Sequence, residues 1–199
     1  MGKAKRILQV LIVAVLVFAG VQGVSAQSWS ESMYYPLTKL SSVEYWDVSY
    51  MSPGSVIVVP ENASYWWSRI SKYSSAESAV KNNNVRTVVM AGVGSSSRGT
   101  AAMARLVADA LNEPVGGIVT GLGDWDAFFQ GTGGYFVGRP SNEDGESYPS
   151  TSSSALYDLY QDGAEPERLV GHSKGSFDIA NTLYMLQENG QSWRFSGVK

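Results

Sequence analysis

The chain has 199 residues, contains no cysteine and has a formal net charge of −3 at pH 7. The lack of cysteine excludes structural disulfides, thiolate metal sites and a cysteine nucleophile. A negative balance without a run of Lys or Arg argues against nucleic acid as the natural partner, and the length suits one domain.

The first 26 residues have the pattern of a secretory signal peptide. A basic segment (residues 3–6) precedes the nearly continuous apolar run Ile7–Val21, and small residues end at Ala26. The alternative is a membrane anchor, but a spanning helix needs about 20 apolar residues, and Gln9 interrupts this run. We therefore expect cleavage after Ala26, a secreted or periplasmic protein, and no stable membrane span after cleavage. Cleavage removes three of the fifteen basic residues and none of the eighteen acidic ones, which leaves a net charge of −6.

An α/β alternation begins after a polar and aromatic segment, residues 27–53, that we expect to pack as an N-terminal arm on a domain spanning residues 54–199. The short β-branched run Ser55–Val59 is typical of a buried strand. Apolar residues at near-helical spacing predict a helix over 64–82, and Val85–Ala91 is a second predicted buried strand.

The next predicted elements continue this alternation. The Gly- and Ser-rich loop Gly92–Gly99 leads into an amphipathic helix for which Thr100 is the predicted N-cap. Gly116–Thr120 is a third predicted strand. Residues 124–153 form an excursion that is too long for an ordinary connection and is therefore a candidate functional loop.

The C-terminal part predicts a helix over 155–161, a strand over Glu167–Val170 and a helix from Ser176 to about Gln187. Strands separated by helices indicate an α/β fold with a mainly parallel sheet and helices on both faces. Residues 191–199 have the pattern of an approach to one more strand.

The pentapeptide Gly171-His-Ser-Lys-Gly175 stands between the last predicted strand and the last predicted helix. This is the G-x-S-x-G pattern of a nucleophile elbow, in which the two glycines permit a tight turn that projects the serine hydroxyl above the sheet. Ser173 is therefore the candidate nucleophile. The alternative is a serine in an ordinary strand-to-helix turn.

With this motif, the region from about residue 85 to 190 resembles the α/β-hydrolase superfamily, and Leu169–Gly175 looks most like its lipase and esterase branches. The resemblance implies that Ser173 attacks the acyl carbonyl of a small-molecule ester or lipid-like substrate. It also implies an oxyanion hole made by the backbone N–H of Lys174 and by a second donor near Val93 or Gly94.

Two other interpretations of the loop Gly92–Gly99 remain open. It leads from a strand into a helix N-terminus, as a dinucleotide or phosphate cradle does, but its glycine spacing differs from the Rossmann pattern by two residues. In the other interpretation, its glycines serve only close packing of the helix on the sheet. We predict no cofactor.

A general base is the missing part of this site. His172 is the sole histidine, and consecutive residues at a tight turn point apart, so we expect it to pack under the turn. For the same reason Lys174 is a poor base, and its side chain is expected to face solvent or a substrate group. In the superfamily, Ser, acid and His follow in chain order, which implies that both partners lie beyond residue 199. We therefore expect a hydrolase domain incomplete at its C-terminus and inactive as these 199 residues. The alternative is a non-catalytic binding protein on the same scaffold.

The excursion adds candidates for the walls of the site. Trp125, Phe128 and Phe129 suit an apolar lid or acyl-binding wall, although they would equally suit a core that holds the loop down. Asp124 and Asp126 either line the site or belong to a solvated loop. The acidic turn 142–146 lacks calcium-ligand spacing, and we predict no metal site.

Overall fold

A computed structural model describes residues 31–62, 69–83, 85–92, 94–121 and 150–198. The predicted signal peptide and the first residues of the predicted arm lie outside these ranges. None of the helices within them combines the length and the apolar character that crossing a membrane requires.

The described residues form a mixed sheet of five strands in the order β2-β1-β4-β3-β5. The strands are β1 (Val56–Val59), β2 (Ser71–Tyr73), β3 (Thr87–Met90), β4 (Val115–Ile118) and β5 (Arg168–Gly171). Strand β3 lies between β4 and β5 and is parallel to both, whereas β1 is antiparallel to β2 and to β4.

The helices are α1 (Ser42–Asp47), α2 (Ala76–Asn82), α3 (Ser97–Leu111), α4 (Thr151–Gln161) and α5 (Lys174–Glu188). Short 3-10 helices cover Leu37–Lys39 and Ser192–Phe195. The last of these occupies the segment that the sequence predicts as an approach to a strand.

The α/β prediction agrees with this architecture, but two of its details do not. The sheet is mixed rather than mainly parallel, because β1 runs against both of its neighbours. The helix predicted over 64–82 is wrong at residues 71–73, which form β2, and the helix begins at Ala76. The near-helical spacing included Ile70, which precedes β2, and Tyr73, which belongs to β2, together with Val80 of α2.

Helix starts also differ from the predictions, for reasons of capping. Ser96 rather than Thr100 caps α3, since its hydroxyl accepts from the N–H of Arg98. Thr100 lies inside the helix, where its hydroxyl donates to the Ser96 carbonyl. Ser150 caps α4 in the same way and starts it four residues before the predicted position.

Every residue of β1, β3 and β4 is buried, which accounts for their mainly apolar sequences, whereas β2 and β5 are partly exposed. Ile57 and Val59 of β1 face α3 and the arm, while Val56 and Val58 face α2, α4 and α5. Helices therefore cover both faces, as predicted. Three buried arm residues, Tyr35, Leu40 and Val48, complete the core on the α3 side.

Candidate active site

Ser173 occupies a strained backbone conformation between β5 and α5. Its φ is 52° and its ψ is −117°, and its side chain is exposed. Residues other than glycine pay about 1–3 kcal/mol for such conformations, which are concentrated at functional sites. Two hydrogen bonds of 3.0 Å close the turn, from Gly175 N to His172 O and from Ser176 N to Ser173 O.

The two glycines of the motif are sterically required at this turn. A Cβ at Gly175 would lie 2.0 Å from the Met90 carbonyl oxygen, and one at Gly171 would lie 2.7 Å from Ser176 Cα. Both obstacles are backbone atoms, so no side-chain rotation removes them. Close approach of α5 to the end of β3 therefore depends on Gly175, and close approach of α5 to the end of β5 depends on Gly171.

The loop after β3 touches the elbow. A Cβ at Gly92 would lie 3.0 Å from Ser173 Cβ and 3.1 Å from His172 Nδ1. Gly94 has a φ of 75°, which glycine adopts without strain, and Val93 lies outside the described residues. Lys174 is the first residue of α5, where backbone N–H groups have no intrahelical acceptor. The predicted oxyanion donors thus belong to two segments that meet beside Ser173.

His172 interacts with a residue that the sequence did not indicate. Its Nδ1 lies 2.8 Å from the hydroxyl of Tyr35, and that hydroxyl accepts the N–H of Gly92 at 2.6 Å. Burial raises the pKa of Tyr35 to about 12 and lowers the pKa of His172. The imidazole contacts the arm through its Nδ1, which the Tyr35 phenol engages, but His172 remains partly exposed instead of packing under the turn as predicted.

The N-terminus of α3 binds the carboxylate of Glu31, a residue of the arm. Glu31 Oε1 accepts from the N–H groups of Ser96 at 2.6 Å and Gly99 at 2.9 Å. The Ser96 hydroxyl donates to the same carboxylate. Helix N-termini favour anions. The position that a phosphate would take in the cradle interpretation is therefore filled by Glu31, and that interpretation is not favoured.

The side chain of Lys174 points into a buried polar cluster instead of toward solvent or substrate. Its ammonium donates to the buried carboxylate of Asp178 and, at 3.1 Å, to Ser152 Oγ. Asp178 also accepts from the hydroxyls of Ser150 and Ser152 at 2.8 and 2.7 Å. An ammonium paired in this way is a poor proton acceptor, so the cluster argues against Lys174 as the base.

The remaining candidates from the sequence all belong to the excursion of residues 124–153. The predicted wall residues Trp125, Phe128 and Phe129, and the carboxylates Asp124 and Asp126, lie outside the described residues. Within the described ranges, no group of three or more His, Asp or Glu side chains comes together that could hold a metal ion.

Comparison of the chain with models of protein families, with curated proteins and with solved structures gave no match.

The lowered pKa of His172 gives a testable pH dependence. Because the folded state binds the proton less tightly than the unfolded state, its contribution to stability is present above the ordinary pKa of 6.5 and is lost as the pH falls below it. We expect the NMR titration midpoint of His172 to lie below 6.5. The free energy of unfolding should also fall, relative to that of His172→Asn, between about pH 8 and about pH 5. Parallel pH profiles of the two proteins would contradict this expectation.

Proposed function

We propose that this protein is an exported serine hydrolase of esterase or lipase type, on an α/β-hydrolase-like scaffold, with Ser173 as its acyl nucleophile. The observation that carries the proposal is the strained backbone of Ser173 at an exposed strand-to-helix turn. Glycine would adopt this conformation without strain, so a serine here is best explained by the use of its hydroxyl. The signal-peptide pattern of residues 1–26 supports export.

The proposed reaction is acyl transfer in two steps. The Ser173 oxygen attacks the ester carbonyl carbon, and its proton passes to a general base. The N–H of Lys174 and an N–H near Val93 or Gly94 stabilise the negative charge on the former carbonyl oxygen. Collapse expels the alcohol, which takes up the proton, and leaves an acyl-enzyme. Water then attacks that ester, regenerates Ser173 and releases the carboxylic acid.

The general base is proposed to come from outside the described residues. His172 is the sole histidine of the sequence, and its Nδ1 is engaged by Tyr35. Within the part of the chain that the structure describes, no side chain makes a hydrogen bond to the Ser173 hydroxyl.

Covalent labelling tests the proposal. The protein, expressed from its intact gene in its natural host, is treated with a fluorophosphonate probe, and the modified residue is located by peptide mass spectrometry. We expect modification of Ser173 in the wild-type protein and none in Ser173→Ala. A folded wild-type protein that remains unlabelled would show that it is not a serine hydrolase.

A second variant tests the backbone strain independently of chemistry. Ser173→Gly should also abolish labelling, but it should be more stable than Ser173→Ala by about 1 kcal/mol, because glycine tolerates the positive φ. Chemical denaturation of the two variants measures this difference. Equal stability would mean that the turn is not strained in solution.

The alternative function, binding without catalysis, is favoured by one surface feature. Trp46 and Tyr50 are 67% and 93% exposed beside Arg98, whose guanidinium carbon lies 4.1 Å from the ring centroid of Tyr45. Exposed aromatic rings around an arginine are frequent in binding surfaces. This alternative predicts a folded protein that the probe does not label at Ser173.

A further inference from the structure

We propose that Tyr35 is a positioning residue of the hydrolase site, which sets the separation between the elbow and the loop that supplies the second oxyanion donor. This inference rests on the function proposed above. It assigns a role to a tyrosine of the N-terminal arm, 138 positions before the nucleophile in the printed numbering.

One hydroxyl group joins three segments of the chain. Tyr35 is only 6% exposed, and its ring packs edge-on against His172 with 5.5 Å between the ring centroids. Its oxygen accepts the N–H of Gly92 at 2.6 Å and lies 2.8 Å from His172 Nδ1. The arm, the loop after β3 and the elbow therefore meet at the Tyr35 oxygen.

We assign Tyr35 as the hydrogen-bond donor to His172. The Tyr35 oxygen accepts from the Gly92 N–H, and in this assignment its own proton points to His172 Nδ1. Nδ1 then acts as the acceptor, and the neutral imidazole carries its hydrogen on Nε2. This tautomer has no lone pair available to remove the Ser173 proton, so His172 orients the turn and does not act as the base.

The two hydrogen bonds of Tyr35 affect catalysis through the distance between the oxyanion loop and Ser173. Gly92 immediately precedes the predicted donors Val93 and Gly94, and a Cβ at Gly92 would lie 3.0 Å from Ser173 Cβ. An oxyanion donor works only when it lies about 3 Å from the charged oxygen, and a displacement of about 1 Å can cost about 100-fold in rate. Losing the Tyr35 hydroxyl frees both Gly92 and His172 to move relative to Ser173.

The first test compares Tyr35→Phe with Tyr160→Phe in the fluorophosphonate reaction. Both variants remove a buried hydroxyl, but the Tyr160 hydroxyl has no hydrogen-bond partner among the described residues and lies on the other face of the sheet. We expect Tyr35→Phe to lower the maximal labelling rate per folded molecule by about 10-fold to 100-fold, with little change in the half-saturating probe concentration. Tyr160→Phe should label at the wild-type rate.

The second test detects the hydrogen bond between Tyr35 and His172 without any reaction. Nitrogen-15 NMR of the folded protein at about pH 8 should show His172 with its hydrogen on Nε2 and an unprotonated Nδ1. Tyr35→Phe should shift this spectrum toward a mixture of tautomers. Asparagine at position 172 offers an oxygen at the place of Nδ1, so His172→Asn should lose less of the labelling rate than His172→Ala.

The outcomes separate this proposal from the one it rests on. Labelled wild-type protein with an equal rate in Tyr35→Phe would overturn the positioning role and leave the hydrolase function intact. A wild-type His172 with its hydrogen on Nδ1 would overturn the assignment of Tyr35 as the donor to that nitrogen. Folded wild-type protein without labelling would overturn the hydrolase function, and the positioning role with it.

Discussion

Replacing Gly175 by alanine is expected to destabilise the protein by about 3 kcal/mol or more and to abolish labelling of Ser173. The added methyl group would lie 2.0 Å from the Met90 carbonyl oxygen, 2.5 Å from the Met90 carbonyl carbon and 2.8 Å from the Ala91 carbonyl oxygen. All three are backbone atoms at the end of β3. Relief therefore requires α5 to move away from the sheet, which displaces the elbow and the N–H of Lys174 together.

Chemical denaturation measures the loss of stability, with Gly197→Ala as the matched control. A Cβ at Gly197 would meet no atom within 4 Å, so the same substitution there should leave stability unchanged within about 1 kcal/mol. Wild-type stability in Gly175→Ala would show that α5 does not approach β3 as closely as the structure has it.

Replacing Arg105 by methionine is expected to cost about 3–5 kcal/mol of the free energy of unfolding. The side chains of Arg105 and Glu44 form an ion pair that is completely buried between α3 and α1. Arg105 also donates to the Pro60 carbonyl, and Glu44 accepts the N–H of Ser41 at 3.0 Å in the capping box of α1. Removal of the guanidinium leaves a buried carboxylate without its cation, which is the costly way to break such a pair.

A double variant separates the charge from the packing. Glu44→Gln combined with Arg105→Met removes both charges and keeps an oxygen for the Ser41 N–H, so it should recover a substantial part of the loss. The exposed pair of Arg86 and Glu167 is the control, since Arg86→Met should change the denaturation midpoint very little. A double variant no more stable than Arg105→Met alone would mean that the loss comes from packing rather than from the unpaired charge.

The elements that could be predicted are those whose signal is local and repeated. Strands β1, β3 and β4 are buried on both faces, so each consists mainly of apolar residues and was recognisable without its partners. Strand β2 has only three residues and is partly exposed, so it has no such run. The direction of β1, which makes the sheet mixed, left no mark in its composition.

The residues of the candidate site also fall into two groups, those related by local spacing and those brought together by folding. Gly171, Ser173 and Gly175 lie within five consecutive residues, and the constraint that relates them is the geometry of a single turn. Glu31 and Tyr35 act on loops more than 55 positions away, and neither belongs to a spacing pattern. Asp178 reads in sequence as an ordinary helical residue, although it accepts hydrogen bonds from serines of another helix.

The turn around Ser173 is predictable from five consecutive residues, because it requires glycine at two of them. A Cβ at Gly171 would collide with the backbone of Ser176, and a Cβ at Gly175 would collide with the backbone of the neighbouring strand β3. The state of His172 is not predictable in this way, because it depends on which group approaches Nδ1, and that group is a phenol brought in by the folding of the arm. The sequence by itself thus predicts Ser173 as the nucleophile. Tertiary structure decided that Tyr35 of the arm holds the neighbouring imidazole, since hydrogen bonds between distant segments form only when folding brings those segments together. The ammonium of Lys174, by contrast, pairs with Asp178 one turn further along the same helix.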